Sequence, residues 1–318
     1  MINLLHYFKK AGGYNLLRQL WVSHVLLRTL FQFIALGRSK TSLELLDLAI
    51  CENKKQKKRK EYRKILKQFS CNEKCSSASS ENKTIWMLWW QDIETAPDIV
   101  KFCQDSIKEN LKDWEIVVLS EKNYNDYVSL PNYVVEKKNK GIISLAHFAD
   151  LIRLELLLKY GGLWIDSTVL CTGSKIPKSV MKSDLFVYQT QKPGANGRPT
   201  FMSNWLIYAK PNQKILALTL SLLYEYWKRM DYLDDYYIFH IFFTIACEQY
   251  PKDACKIPPF CNSTPHVLQL HLFDKYDEDF WNDLKRMTCF HKLTYKLAEK
   301  DMEKSGTYYE NIIRNNSL

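Results

Sequence analysis

With 318 residues and 46% hydrophobic content, the chain can bury a sizeable core, in one large domain or two smaller ones. Its formal net charge of +10 attracts anions, so nucleic acid, anionic lipid and phosphorylated substrates are the partner classes to weigh. None of the nine cysteines forms a CxxC pair, Cys71 and Cys75 are too isolated for a zinc site, and no secretory leader is legible, so a reducing, cytoplasmic setting is expected. Tryptophan, tyrosine and phenylalanine number 9, 19 and 15, and such flat rings either fill a core or stack on sugars and nucleobases.

The first 50 residues read as helical. Between Leu16 and Leu36, the residues Leu16, Leu20, Leu27 and Phe31, with Leu17, Val25 and Ile34 beside them, form a broad apolar face interrupted by Arg18, His24 and Arg28. No stretch reaches the roughly 18 uncharged apolar residues of a membrane-spanning helix. A helix lying on a membrane surface or packed on a neighbouring domain fits better. Residues 53–67 hold nine Lys/Arg against one acid, which would add attraction to anionic lipid if solvated. Basic residues alone are weak evidence for nucleic acid, and no aromatic residues interleave with them in the way single-strand binders require, so a nucleic-acid partner is not expected.

Residues 70–83 are small and polar and read as a linker, giving an N-terminal basic helical region over 1–69 and a second region over 84–318. There the pattern changes. Thr84–Gln91 is a buried-strand candidate, Pro97–Asn110 a helix opening with proline, and Trp114–Leu119 a second strand. Leu185–Gln189 and Asn204–Ala209 read as strands around a Gly/Pro loop at 192–199, and 212–230 and 234–249 as helices. Strand and helix in alternation predict an α/β domain with a mainly parallel sheet.

Residues 144–168, SLAHFADLIRLELLLKYGGLWIDST, carry the chemistry. Apolar residues occupy nearly the whole circumference of a helix over 144–160, so it is buried. Asp150 and Arg153, three apart on neighbouring parts of one face, must then find partners, each other or a ligand. Gly161 and Gly162 stop the helix, Leu163–Ile165 run in the sheet, and Asp166 is the first polar residue beyond the strand. That is where α/β sheets bind ligands, and a carboxylate there can hold a divalent cation that neutralises a diphosphate.

The segment ADLIRLELLLKYGGLWIDSTV resembles the (S/A)D-xx-R…YGG-x-(Y/W)-x-D-x-(D/T) signature of GT-A glycosyltransferases, and specifically the capsular polysaccharide synthesis protein family. That family is related to yeast-type α-mannosyltransferases with a DxD sugar-binding region and, more distantly, to the glucosylating toxins. IWMLWWQ at 85–91, NWLIYAK at 204–210, DYYIFHIFF at 235–243, HKLTYK at 291–296 and GTYY at 306–309 resemble the same family, so the likeness spans about 84–310.

The resemblance implies a GT-A (Rossmann-like) catalytic domain that transfers a sugar, a hexosyl unit, from a nucleotide-sugar, UDP by default, with retention. The acceptor would be a lipid-linked oligosaccharide, at the inner face of the plasma membrane. Carried over by position, Trp89 would stack on the base, with Trp90 or Gln91 touching the nucleotide. Asp150 and Arg153 would hold the sugar hydroxyls and the diphosphate. Asp166 would be the first acid of the DxD motif, with Ser167 beside it, and Thr168 stands where the second acid belongs. Mn²⁺ or Mg²⁺ would then rest on Asp166 and Thr168. His291, Lys292 and Lys296 would close over the phosphates. Asn204 would contact the sugar, and Asp235 and His240 the acceptor. His266, His271 and Asp274 lie outside these motifs as a weak metal candidate. The missing second acid also motivates an alternative, a nucleotide-sugar-binding module without turnover.

Overall fold

The computed structural model describes residues 13–37, 39–71, 82–191 and 200–315. The loop at 192–199 and most of the 70–83 linker lie outside the described residues. Numbering the longer elements in chain order, four helices come first: α1 (Tyr14–Val22), α2 (Leu26–Leu36), α3 (Lys40–Glu61) and α4 (Arg63–Cys71). The expected single helical stretch is broken where His24 takes a positive φ of 50° and where Gly37 ends α2. Then follow β1 (Thr84–Leu88), α5 (Asp98–Asn110), β2 (Glu115–Leu119), α6 (Leu145–Lys159), β3 (Gly162–Ile165) and β4 (Val169–Cys171). The rest comprises β5 (Leu185–Gln189), β6 (Met202–Ala209), α7 (Lys214–Arg229), α8 (Ile238–Gln249), α9 (Glu278–Met287) and β7 (Phe290–Lys292).

The α/β architecture is as the sequence predicts. One sheet has the order β2-β1-β3-β6-β5, parallel over β2, β1 and β3 and antiparallel from β3 through β6 to β5. Alternation along the strands feeds two cores. Trp86, Trp164 and Ile207 face α6, α7 and α8, while Ile85, Met87, Leu163, Ile165 and Leu206 pack with Ile107 and Leu111 at the end of α5. A separate two-stranded ribbon pairs β4 with β7, three residues each and far apart in sequence. Neither short strand stands out in the sequence, because three residues show no period.

The two glycines after α6 are required by space as well as by φ. A Cβ on Gly161 (φ 70°) would meet Pro211 Cδ at 2.7 Å, and one on Gly162 (φ 97°) would meet the Thr84 carbonyl oxygen at 2.5 Å. Their absence of side chains lets β3 lie against β1 and aims the chain beyond it at the sheet's carboxyl end.

The basic run is not a free surface. Lys54 and Lys58, four apart on α3, reach Asp235 Oδ2 at 2.7 Å and Asp234 Oδ2 at 2.6 Å. On the adjoining stripe Lys55 and Arg59 each lie 2.6 Å from a Glu248 oxygen, and Lys57 donates to the Ser23 carbonyl at 2.8 Å. These contacts fasten α3 to α8, to the segment leading into it and to the end of α1, and Tyr62 and Leu66 beyond α3 join the main core. Of this run, which was expected to be solvated, Lys60, Arg63, Lys64 and Lys67 are exposed. The apolar face expected over Leu16–Leu36 divides: Leu20 and Val25 are buried against Ile50 of α3, whereas Trp21 is 70%, Leu27 82%, Phe31 74% and Ile34 80% accessible. Among the described residues, no helix is long and apolar enough to cross a membrane.

Candidate active site

The carboxyl ends of β1 and β3 open into a cleft of about 680 Å³. Trp89, Trp90 and Gln91 enter it where the chain leaves β1, Asp166–Thr168 where it leaves β3, Asp150 and Arg153 from α6, and Asn204 from β6. His240 on α8 and the segment Lys292–Lys296 after β7 complete the walls. Thr84–Gln91 was expected to be strand throughout, but pairing stops at Leu88, which frees the next three residues for the cleft.

The centre is a buried acid–arginine–acid row. Ser144 caps α6, its hydroxyl accepting from the His147 amide, and the three-residue spacing puts Asp150 and Arg153 on one side of the helix. The Arg153 guanidinium lies 3.5 Å from Asp150 Oδ1 and 3.5 Å from Asp166 Oδ1, donates to the Asn204 carbonyl at 2.5 Å and sits over the Trp164 ring at 4.8 Å. Asn204 Nδ2 donates to Asp150 Oδ1 at 2.9 Å, and Trp164 Nε1 donates to Asp166 Oδ1 at 3.0 Å. Asp150 and Arg153 are almost fully buried, whereas the Asp166 side chain keeps 27% of its surface open. The row thus holds its charges in a fixed order and leaves one carboxylate facing the cleft.

Several buried polar atoms around this row make no hydrogen bond within the protein: Trp89 Nε1, Arg153 Nε, both ring nitrogens of His147 and Nδ1 of His240. Buried donors without partners are costly, and their gathering in one cleft is what a polar ligand would answer. Trp89 is set edge-on against Tyr295 at 5.4 Å. Trp90 packs instead on Tyr124 and Phe148, with the Lys138 ammonium 4.2 Å from its ring centre. Burial pushes the half-buried His240 imidazole down to about 4, so it is neutral at pH 7.

Two of the expected site residues lie outside the cleft. Asp235 is buried in the ion pair with Lys54, and its other oxygen accepts from the Tyr237 amide at the start of α8, so it holds helices together rather than an acceptor. His291 is wholly buried between Trp281 and Thr172, and burial pushes its imidazole down to about 3, so no positive ring closes over phosphates from this position. Its neighbours Lys292 and Lys296 do line the cleft. Ser167 lines it too, with its hydroxyl donating to the Leu88 carbonyl at 2.6 Å and tying the two strand ends together. His266 bonds the Asn262 carbonyl and His271 pairs with Asp274, so the three form no cluster.

Sequence reasoning missed His147, whose Nδ1 lies 3.5 Å from Asp150 Oδ2, and Tyr236, whose ring meets it at 5.6 Å. The signal for His147 was present: it stands three residues before Asp150, one turn away on the same face. Tyr295 and Thr294 carried no such signal.

Residues 47–312 match the family described as "Capsular polysaccharide synthesis protein". The chain belongs to that family. A solved structure described as "PaToxG Glycosyltransferase" aligns over 73% of this chain and 95% of that one, at 17% identity and a TM-score of 0.36, a likeness too low to inform the site. Among curated proteins, none matches the chain's sequence. The family match begins inside α3, so the matched residues include Lys54 and Lys58.

Proposed function

We propose that this capsular polysaccharide synthesis family member is a retaining glycosyltransferase of the GT-A class, moving a hexosyl unit from a nucleoside-diphosphate sugar, UDP by default, to a lipid-linked oligosaccharide. The observation that carries this reading is the row Asp150–Arg153–Asp166, gathered at the carboxyl ends of β1 and β3 with Trp89 and Lys292 on the flanking walls. Negative charge grows on the diphosphate as it leaves, and a preorganised guanidinium and ammonium on the cleft walls stabilise that charge. Trp89 offers a ring face for the base, and His147 Nε2 and His240 Nδ1, which make no hydrogen bond within the protein, offer contacts for hydroxyls.

In the transfer, the bond between the anomeric carbon and the diphosphate oxygen breaks, and its electron pair goes to the diphosphate. The acceptor hydroxyl oxygen bonds to the same carbon on the same face, and its proton passes to the departing diphosphate oxygen. No protein base is needed, which suits a cleft whose imidazole at His240 lies low in pKa for want of solvent and whose carboxylates are engaged by Arg153.

The exposed apolar residues of α1 and α2, with Arg18 and Arg28 also exposed, support attachment to the surface of an anionic membrane, where a lipid-linked acceptor is displayed. The deciding experiment is sugar release from a panel of UDP-sugars by the purified full chain, alone and with lipid-linked acceptors. Turnover lost in Asp166→Asn supports the proposal. Nucleotide-sugar binding without release in every mixture would leave the protein a binding module.

A further inference from the structure

The family resemblance implies a divalent cation at Asp166 and residue 168, and the residues present do not fit one. Of these two positions only Asp166 brings a carboxylate, and its Oδ1 already accepts from Trp164 Nε1 and faces Arg153; Asp150, the other carboxylate of the cleft, is almost fully buried against Arg153 and Asn204. The partner position is the neutral Thr168, whose hydroxyl accepts from Lys292 Nζ at 2.5 Å. The same ammonium lies 3.6 Å from Asp166 Oδ2 and 3.3 Å from the Leu293 carbonyl. Among the described residues, no three His, Cys, Asp or Glu side chains come together in a metal set. A divalent ion between Asp166 and Thr168 would have to share that space with the Lys292 ammonium, and like charges so close repel.

Lys292 is not there by the chance swing of a surface side chain. The ribbon pairs Val169 with Lys292, Leu170 with His291 and Cys171 with Phe290. The Leu293 amide then donates to the Thr168 carbonyl at 2.8 Å, which extends the pairing to the acid turn itself. His291 and Phe290, both fully buried, anchor the strand from below. The stem of Lys292 is thereby held against the turn, and its side chain keeps only 19% of its surface open.

We propose that the Lys292 ammonium is the resident cation of this site: seated between Asp166 and Thr168, it takes the place of a divalent metal against the departing diphosphate, and transfer proceeds without metal. The inference rests on the glycosyltransferase reading. Thr168 follows from it, since a second acid would pair with Lys292 and cancel the charge the diphosphate needs, whereas a hydroxyl orients the ammonium and leaves its charge intact. The step itself is unchanged: the anomeric C–O bond breaks toward the diphosphate, and Lys292 donates hydrogen bonds to the oxygens that gain charge.

The test uses the full chain and two readouts, binding of UDP and GDP by calorimetry, and Mn²⁺ binding by electron paramagnetic resonance, each with Mn²⁺ and with EDTA. The inference expects one nucleotide to bind equally in Mn²⁺ and in EDTA, and expects no Mn²⁺ held beyond what the free nucleotide binds. Lys292→Met is expected to weaken nucleotide binding roughly tenfold to a hundredfold, the worth of a charge-assisted hydrogen bond, with no rescue by Mn²⁺. Lys292→Arg, which keeps the charge, is expected to retain most of the affinity and guards against a folding defect as the explanation. Thr168→Asp with Lys292→Met is expected to create an Mn²⁺ signal that the natural protein lacks. Nucleotide binding that vanishes in EDTA, or Mn²⁺ held by the natural chain and lost in Asp166→Asn, overturns the inference while leaving glycosyl transfer standing. Failure of both nucleotides to bind under either condition overturns both.

Discussion

Lys58 Nζ lies 2.6 Å from Asp234 Oδ2, with both side chains almost wholly shielded from water. The Asp234 carboxylate also accepts from the Tyr226 hydroxyl at 2.8 Å, and the Lys58 ammonium lies 5.1 Å from the Tyr226 ring centre. A positively charged run that reads as a surface in the sequence is here a buried clamp between α3 and the segment leading into α8. Removing one partner strands the other: Lys58→Met is expected to destabilise the fold by about 3–5 kcal/mol. Lys58→Met combined with Asp234→Leu should recover much of that loss, because no buried charge is left unpaired; Glu61, the other carboxylate near Lys58, at 3.4 Å, is exposed to water. Urea unfolding of the two variants beside the natural chain checks both statements, and equal losses in the single and double variants would contradict them.

Arg153 is tied to two carboxylates, one carbonyl and one indole face. A lysine keeps the charge but not the planar fork, so it cannot serve Asp150, Asp166 and the Asn204 carbonyl together. Arg153→Lys is expected to lower turnover of the donor about 10²–10³-fold, the loss typical of one preorganised charge-stabilising group. Steady-state kinetics with a matched melting curve would show this; unchanged turnover would remove Arg153 from the proposed chemistry.

Acid should unfold the protein through its buried imidazoles. His291 falls from 6.5 to about 3 through burial, so the folded chain keeps it neutral while the unfolded chain protonates it. The unfolded state binds more protons in that interval, and stability therefore declines as pH drops from 6.5 toward about 3. His240, lowered to about 4, adds to the same slope over a narrower range. Above pH 6.5 neither contributes a pH dependence. His291→Gln is expected to flatten the decline, which denaturation at a series of pH values measures; an unaltered slope would count against a buried neutral ring.

Phe31 and Ile34 project from α2 into solvent. Phe31→Ser with Ile34→Ser is expected to reduce binding to vesicles containing phosphatidylglycerol roughly tenfold or more, since each apolar side chain of this size is worth about 1.5–3 kcal/mol when it leaves water. Co-sedimentation measures it. Equal binding by the variant would locate any membrane contact elsewhere.

Much of the site was legible because its signals are local. A helix apolar all round, two glycines, three apolar residues and an acid place Asp150, Arg153 and Asp166 within 17 residues of chain, and periodicity and turn chemistry act over that range. His147 was within the same reach and was overlooked. Asp235 and His291 were misplaced because identical residue types serve a structural pair and a buried ring as readily as a ligand, and only their neighbours decide which. Those neighbours, Lys54 and Trp281, come from other parts of the chain.

The sequence by itself determined the α/β order, the buried helix and the acid at the end of β3, since each follows from hydrophobic period and backbone freedom along a few consecutive residues. Tertiary structure alone decided which charges meet. The basic run became a clamp because Asp234 and Asp235, just before α8, and Glu248 near its end stand opposite the lysines of α3, and Lys292 came to rest beside Asp166 because two three-residue strands pair across the molecule. Such pairings depend on long-range packing and on shielding from water, neither of which leaves a period in the sequence.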